Sequence, residues 1–173
     1  MTTRKLVTMA LLISLAIVVS IADSFIPSFV PGMKLGLANI IILVTLYGYG
    51  FKEAFLVNLA RVFIASLLRG NIFTMGFFMS LAGAIASLIV MFLLKRFIKN
   101  IHIVGVSVVG SLFHSAAQIV VGMFFISSTS LIYYLPILCL TSVITGIFVG
   151  LTAGVINKKN LLKNGDLKWF WIK

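Results

Sequence analysis

Six long runs of apolar residues constrain the fold of this chain more than any other feature of its sequence. They cover residues 6–26, 35–51, 54–68, 72–94, 103–126 and 131–156. A helix needs about 20 apolar residues to cross roughly 30 Å of hydrocarbon, and its backbone groups must be hydrogen-bonded within the segment. Charged residues make up only 10% of the sequence, against about a quarter in soluble domains. The sequence therefore predicts an all-α, polytopic membrane protein with six transmembrane helices in one bundle.

No linker, charge block or repeat divides the apolar runs from one another. We predict a single membrane domain over residues 1–157. Residues 158–173 mix lysines with leucines and large aromatic residues, a composition typical of segments that lie along a membrane surface. We expect a cytoplasmic interfacial tail there, with a contact to a partner protein as the alternative.

The basic residues predict the orientation, because cytoplasmic loops carry the excess of Lys and Arg. With six spans, eleven of the 14 basic residues fall on one side. These are Arg4, Lys5, Lys52, Lys95, Arg96, Lys99, Lys158, Lys159, Lys163, Lys168 and Lys173. The other side keeps Lys34 and Arg69, and Arg61 lies within the third run. We expect a multi-pass protein of the cell membrane with both termini in the cytoplasm. The net charge of +11 then reflects topology and affinity for membrane lipid, and no nucleic-acid partner is needed to explain it.

The acidic residues argue against an enzyme. Asp23, Glu53 and Asp166 stand in three separate segments, so no pair of neighbouring carboxylates can bind Mg²⁺ on a diphosphate. No G-x-x-x-x-G-K-[ST] sequence occurs for binding ATP. We expect no catalytic residue, no metal site and no cofactor, so uphill transport would draw its energy from a partner or an ion gradient.

Polar residues inside the apolar runs are costly to keep in lipid and are therefore the first candidates for a site. Arg61 and Asn58 share a helical face at i and i−3, and His114 and Gln118 share one at i and i+4. We predict that these side chains line a ligand cavity. The alternative for each pair is a purely structural role, tying helices together by hydrogen bonds.

The stretch PGMKLGLAN at 31–39 adds a charge and an amide at the outer start of the second run. We predict that Lys34, Asn39 and Arg69 join Arg61 in an outward-facing funnel that attracts a negative or strongly polar group. The alternative is that Lys34 extends to lipid phosphates.

Small residues at four-residue spacing predict close helix packing. The sets are Gly146, Gly150 and Gly154 in the sixth run, Gly76, Ser80, Gly83 and Ser87 in the fourth, and Ala10 with Ser14 in the first. We expect most of them to pack within the chain. The first run is the candidate for a face reserved for another membrane subunit, because its remaining surface is aliphatic.

Five segments together resemble one family of membrane proteins. They are PGMKLGLAN at 31–39, the turn from Leu46 to Ala54 with Arg61 after it, FFMSLAGAIAS at 77–87, GVSVVGSLFHSAAQ at 105–118 and YYLPILCLTSVITGIFVG at 133–150. In this order they are similar to the Gx transporter family, whose members are often labelled heptaprenyl diphosphate synthase component I. The resemblance covers about residues 5–157. Members of this family resemble the substrate-binding S components of energy-coupling factor (ECF) transporters.

The resemblance implies a six-helix, S-component-like fold that captures a small molecule from outside the cell. It also implies a transmembrane coupling subunit driven by two ATPase subunits, docked on small residues of the first helix, to which Ala10 and Ser14 correspond. The substrate expected by analogy is a small, anionic, vitamin-like or flavin-like molecule. The alternative function is a non-catalytic membrane accessory of isoprenoid or quinone metabolism, as the synthase label suggests.

Overall fold

Helices account for nearly all of the described chain. The computed structural model describes residues 3–26, 34–98 and 100–161. The helices are α1 (Thr3–Asp23), α2 (Asn39–Gly48), α3 (Phe51–Leu68), α4 (Met75–Phe97), α5 (Ile103–Ile126) and α6 (Leu135–Leu161), with a 3-10 helix at Thr129–Tyr134 before α6. No β-strand occurs within these ranges. The all-α prediction is confirmed.

Four helical segments are long and apolar enough to cross a membrane: Lys5–Asp23, Met75–Phe97, Ile103–Ile126 and Thr129–Asn157. The other two helices fall short in different ways. The ten residues of α2 extend only about 15 Å at 1.5 Å per residue. The 18 residues of α3 carry Lys52, Glu53 and Arg61. The four long apolar helices indicate a multi-pass membrane protein. Of the six full spans predicted from the sequence, the structure therefore supports four.

The second predicted span, 35–51, is replaced by a shorter helix with an irregular entry. Gly36 has a φ of +84°, a left-handed conformation that glycine adopts without the steric cost that a Cβ brings. The backbone hydrogen bonds around this point are those of turns, such as Asn39 N–H to the Gly36 carbonyl at 2.9 Å. The helix consequently begins only at Asn39. Residues 34–38 run irregularly inside the bundle.

Two of the glycines in the α6 ladder bring α5 and α6 into backbone contact. A Cβ added to Gly146 would lie 2.7 Å from the Val108 Cα, and one on Gly150 would lie 2.6 Å from the Val104 Cα. Side chains cannot fit at either point. The prediction that this ladder serves internal packing is confirmed for these two residues.

The short helix α2 lies at the centre of the bundle. Residues 41–46 are all buried, and Ile42 and Leu43 are fully enclosed. This helix packs against α3 and α6 and, less extensively, against α1 and α4. Its first residue, Asn39, therefore lies in the protein interior.

Helix α1 buries one face and exposes the other. Met9, Ala16 and Ser20 are buried, and the helix packs mainly on α3. Its outer face carries large aliphatic residues that are each more than half exposed: Leu6, Val7, Leu11, Leu15 and Val18. Ala10 and Ser14 lie exposed on the same face, and the Ser14 hydroxyl donates to the Ala10 carbonyl at 2.9 Å.

Polar contacts at the predicted cytoplasmic end tie helices that are distant in sequence. Lys5 of α1 forms an ion pair with Glu53 of α3. Lys95 of α4 donates to the Leu46 carbonyl at 2.8 Å and lies over the Tyr47 ring, 4.5 Å from its centroid. Helix α6 continues to Leu161, so the first residues of the predicted tail are helical, and the remainder lies outside the described residues.

Candidate functional site

Asp23 holds the connection between α1 and α2 inside the bundle. It is the last residue of α1 and is 3% exposed. Its Oδ2 accepts hydrogen bonds from the backbone N–H groups of Gly36, at 2.9 Å, and Leu37, at 3.3 Å. These amides come just before α2, where a helix leaves N–H groups without intrahelical partners and where a negative charge is favourable. The carboxylate thus satisfies the entry to the central helix.

Gln118 holds the same connection from the opposite side. Its Oε1 accepts from the Lys34 N–H at 2.9 Å, and its Nε2 donates to the Lys34 carbonyl at 3.1 Å. The side chain is fully buried. The polar groups of Gln118, predicted from the sequence as part of a cavity wall, are thereby engaged by the backbone of the chain itself.

Arg61 connects three helices. Its Nε donates to Asn58 Oδ1 at 3.0 Å and its Nη2 donates to Asn39 Oδ1 at 3.2 Å. Asn58 in turn donates from Nδ2 to the Ala84 carbonyl of α4 at 2.7 Å. The predicted pairing of Arg61 with Asn58 is confirmed. Arg61 is 4% exposed, and these two bonds use two of the five N–H groups that a guanidinium offers.

His114 lies between two glycines from different parts of the chain. A Cβ on Gly83 of α4 would stand 2.9 Å from Cε1 and 3.0 Å from Nδ1 of the imidazole. A Cβ on Gly36 would stand 3.4 Å from Nε2 of the same ring and 3.2 Å from Asn39 Nδ2. The absence of both side chains makes room for the ring, and it brings Nε2 and the asparagine amide to the same small region.

Several buried polar atoms around Gly36 have no hydrogen-bond partner within the described ranges. They are Asp23 Oδ1, Asn39 Nδ2 and both ring nitrogens of His114. Native proteins rarely leave such atoms unsatisfied, and those that remain require an explanation such as a water or a ligand. We refer to Asp23, Gly36, Asn39, Arg61 and His114 as the Gly36 cluster.

Two further cations lie within electrostatic range of the cluster. Burial, assisted by the positive charges of Arg69 and Arg61 and opposed by Asp23, lowers the pKa of Lys34 to about 7. Burial also lowers the pKa of Arg69, again opposed by Asp23. Arg69 lies at the end of α3, where its Nε donates to the Ala65 carbonyl at 3.0 Å. Lys34, Arg61 and Arg69 thus all interact electrostatically with the carboxylate of Asp23.

The structure brings most of the predicted site residues together. One hydrogen-bonded chain is formed by Asn39, Asn58 and Arg61, and His114 lies beside it, next to Gly36. Gln118 is hydrogen-bonded to the backbone of Lys34. Arg69 interacts electrostatically with Asp23. Sequence reasoning missed Asp23 as a site residue, although a carboxylate at the end of an apolar run is a signal of the same kind as Arg61. Gly36 carried no such signal. Among the residues that the structure describes, no group of three His, Cys, Asp or Glu could hold a metal ion.

These features define a multi-pass helical membrane protein with a polar cluster buried inside its bundle. The sequence model of one family, described as heptaprenyl diphosphate synthase component I, matches residues 12–156. The chain belongs to this family, and the match spans every residue of the Gly36 cluster. Neither curated proteins nor solved structures yielded a match to the chain.

Proposed function

We propose that the chain is the membrane-embedded substrate-binding subunit of an ECF-type uptake transporter. It captures a small anionic molecule of vitamin-like or flavin-like size from outside the cell. Its termini lie in the cytoplasm, and it has no catalytic activity of its own.

The observation that carries this proposal is the set of unsatisfied polar atoms in the Gly36 cluster. Asp23 Oδ1, Asn39 Nδ2 and the nitrogens of His114 are buried without partners in the described part of the chain. Keeping such groups in a low-dielectric interior costs about 1–3 kcal/mol each. A polar ligand that satisfies them recovers this free energy, which favours a binding role over a purely structural one.

The exposed face of α1 supports the part of the proposal that concerns a coupling subunit. Ala10 and Ser14 lie in the middle of an aliphatic surface on which no other described helix packs. Small residues at four-residue spacing allow two helix backbones to approach closely in a membrane. We propose that a transmembrane coupling subunit, driven by two ATPase subunits, docks there.

Ligand binding and energised uptake should therefore be separable by mutation. Ala10→Leu and Ser14→Leu block close approach on α1 and are expected to abolish uptake into cells, while binding to the purified chain is unchanged. Ile144→Phe enlarges an equally exposed residue of α6 and should affect neither. Uptake by the wild-type chain in cells that lack every coupling module would rule out the ECF mechanism.

The direct test is to identify what the protein carries. Mass spectrometry of the detergent-extracted wild-type chain should reveal a copurifying anionic molecule, and its amount should fall in an Asn39→Leu variant. If a small polar compound is absent and only prenyl lipid copurifies, the transport proposal fails.

A second candidate function follows from the description of the family, which names a component of heptaprenyl diphosphate synthase. On this proposal the chain is a non-catalytic membrane accessory of isoprenoid or quinone metabolism. The two acidic residues of the described part, Asp23 and Glu53, are engaged by Gly36 and Lys5 respectively. A catalytic role in prenyl transfer, which depends on several carboxylates around Mg²⁺, is therefore not part of this candidate.

A further inference from the structure

We propose that the Gly36 cluster binds the doubly negative group of its ligand and that this group is a phosphate monoester. The proposal rests on the proposed function, because it assumes that the cluster is where a ligand is captured.

The first argument is the balance of charge. Lys34, Arg61 and Arg69 all interact electrostatically with the carboxylate of Asp23. With Lys34 in its charged form, three cations against one anion leave a formal surplus of two positive charges. Unpaired charges in a protein interior are costly, and buried charges are therefore paired in native structures. A ligand with two negative charges neutralises the surplus, whereas a monoanion leaves one positive charge unpaired.

The second argument is the arrangement of donors. Within the described ranges, the guanidinium of Arg61 makes two side-chain hydrogen bonds, to Asn39 and Asn58, of the five that it can donate, and Asn39 Nδ2 has no partner there. Each of these groups donates to an oxygen-rich anion. Asp23 Oδ2 is engaged by the Gly36 and Leu37 amides, whereas its Oδ1 has no partner among the described residues, so the cations must outweigh the repulsion that this carboxylate exerts on an anion. A guanidinium matches the geometry of phosphate oxygens well.

The third argument is compactness. Asn39 Nδ2 and His114 Nε2 both lie within 3.4 Å of the point where a Cβ on Gly36 would stand, and Arg61 is hydrogen-bonded to Asn39. The amide of Asn39, the imidazole of His114 and the guanidinium of Arg61 therefore lie close to one another. A single tetrahedral group places two negative charges in such a region, whereas a dicarboxylate divides its charges between two separated groups.

Binding of a dianion should also take up a proton. In the free protein the pKa of Lys34 is lowered to about 7, so its amine changes protonation state near neutral pH. A dianion nearby favours the charged amine and raises this pKa. Affinity should therefore be highest between the second pKa of the phosphate, near 6, and the free pKa of Lys34, and it should fall as the pH rises above the latter. The charged and titratable groups that face Lys34 are Asp23 from α1, Arg61 and Arg69 from α3, and His114 from α5.

A matched pair of probes tests the charge requirement. Phenyl phosphate and phenyl sulfate have nearly the same shape, but the phosphate carries two charges above its second pKa, near 6, and the sulfate carries one. We expect the full chain, in nanodiscs of phosphatidylcholine at pH 7.5, to bind phenyl phosphate at least about tenfold more tightly by isothermal titration, since one charge-assisted hydrogen bond is worth roughly this ratio. Equal affinity for the two probes would overturn the proposal.

Two variants connect the preference to the cluster. Arg69→Gln removes one charge at a position that is only partly buried, so the fold is expected to tolerate it, and the preference for phosphate should largely disappear. Lys52→Gln removes the same charge from an exposed position at the other end of the same helix and should leave the preference intact. Lys34→Gln should abolish the proton uptake, measured by titration in buffers of different ionisation enthalpy. Proton uptake that persists in this variant would contradict the role of Lys34.

The source of the phosphate is decided by a third probe. Farnesyl phosphate carries the same headgroup on an isoprenoid tail. If it binds more tightly than phenyl phosphate and retains the dependence on Arg69, the ligand class is a lipid phosphate; if it does not, a soluble ester is indicated. Both results support the dianion site. Failure of uptake with phosphate binding retained would defeat the transporter proposal alone, and copurification of an uncharged ligand would defeat the dianion proposal alone.

Discussion

Replacement of Gln118 by Met tests whether α5 holds the α1–α2 connection in place. Met has nearly the same length as Gln and suits the fully buried position, but it cannot make the hydrogen bonds at 2.9 Å and 3.1 Å to the Lys34 backbone. A hydrogen bond contributes about 0.5–1.5 kcal/mol net. Losing the pair should therefore lower the free energy of opening this connection by about 1–3 kcal/mol.

Hydrogen exchange measures this opening directly. The Lys34 amide is protected by Gln118 Oε1, so its exchange in Gln118→Met should be roughly 5- to 150-fold faster than in the wild type. The Gly36 and Leu37 amides are hydrogen-bonded to Asp23, so their exchange rates should increase less, unless the whole α1–α2 connection opens as one unit. Ligand binding should weaken only by the fraction of molecules in which the connection is open, because Lys34 is one of the three cations that interact with Asp23.

A substitution on the same helix provides the control. Ser107 is buried on α5, and its hydroxyl has no partner among the described residues, so Ser107→Ala should leave exchange at Lys34 unchanged. Unaltered exchange of the Lys34 amide in Gln118→Met would refute the assignment of Gln118 as the residue that holds the connection. Faster exchange throughout α5 would show instead that the variant has disturbed the helix itself.

Three further predictions concern the site, its packing and the orientation of the chain. Arg61→Gln should weaken ligand binding roughly ten- to a hundredfold, whereas Lys52→Gln on the same helix should not; a loss of thermal stability with affinity unchanged would make Arg61 a helix tie only. Gly83→Ala places a Cβ 2.9 Å from His114 Cε1 and should destabilise the protein by about 1–3 kcal/mol in thermal unfolding; Gly105→Ala, whose Cβ would lie 3.5 Å from its nearest neighbour, should be tolerated, and equal losses would contradict the packing argument. A cysteine at the exposed Asn100, in a chain without the native thiol, should resist impermeant reagents applied outside the cell, and its labelling would reverse the proposed orientation.

The long helices could be predicted closely from the sequence, because an uninterrupted apolar run of more than 20 residues has few alternatives in lipid. The bounds of α5 at Ile103–Ile126 match the predicted run. The second run could not be read this way. Its apolar residues suit a helix throughout, and its irregular start depends on Gly36 and on the Asp23 carboxylate, which lies in a different run and is brought to it by tertiary packing.

The sequence predicted which residues belong to the candidate site better than it predicted the contacts between them. Polar residues in apolar runs identified Arg61, Asn58, His114 and Gln118, since such residues are costly in lipid wherever they point. Periodicity within one helix could not show that Gln118 meets the backbone of residue 34, because that contact joins two segments far apart in the chain. The same limit explains why Asp23 was considered only for catalysis.

The position of His114 between Gly36 and Gly83 has a consequence for assembly in the membrane. Its neighbours come from the α1–α2 connection and from α4, so no pair of adjacent helices contains the site by itself. Helices can insert before they associate, and an inserted but unassembled chain has nowhere to bind the ligand. Any molecule that binds only the assembled bundle shifts the equilibrium towards it by mass action. A ligand of the Gly36 cluster would then act as a folding cofactor, and its supply during expression would set how much of the inserted protein reaches the native state.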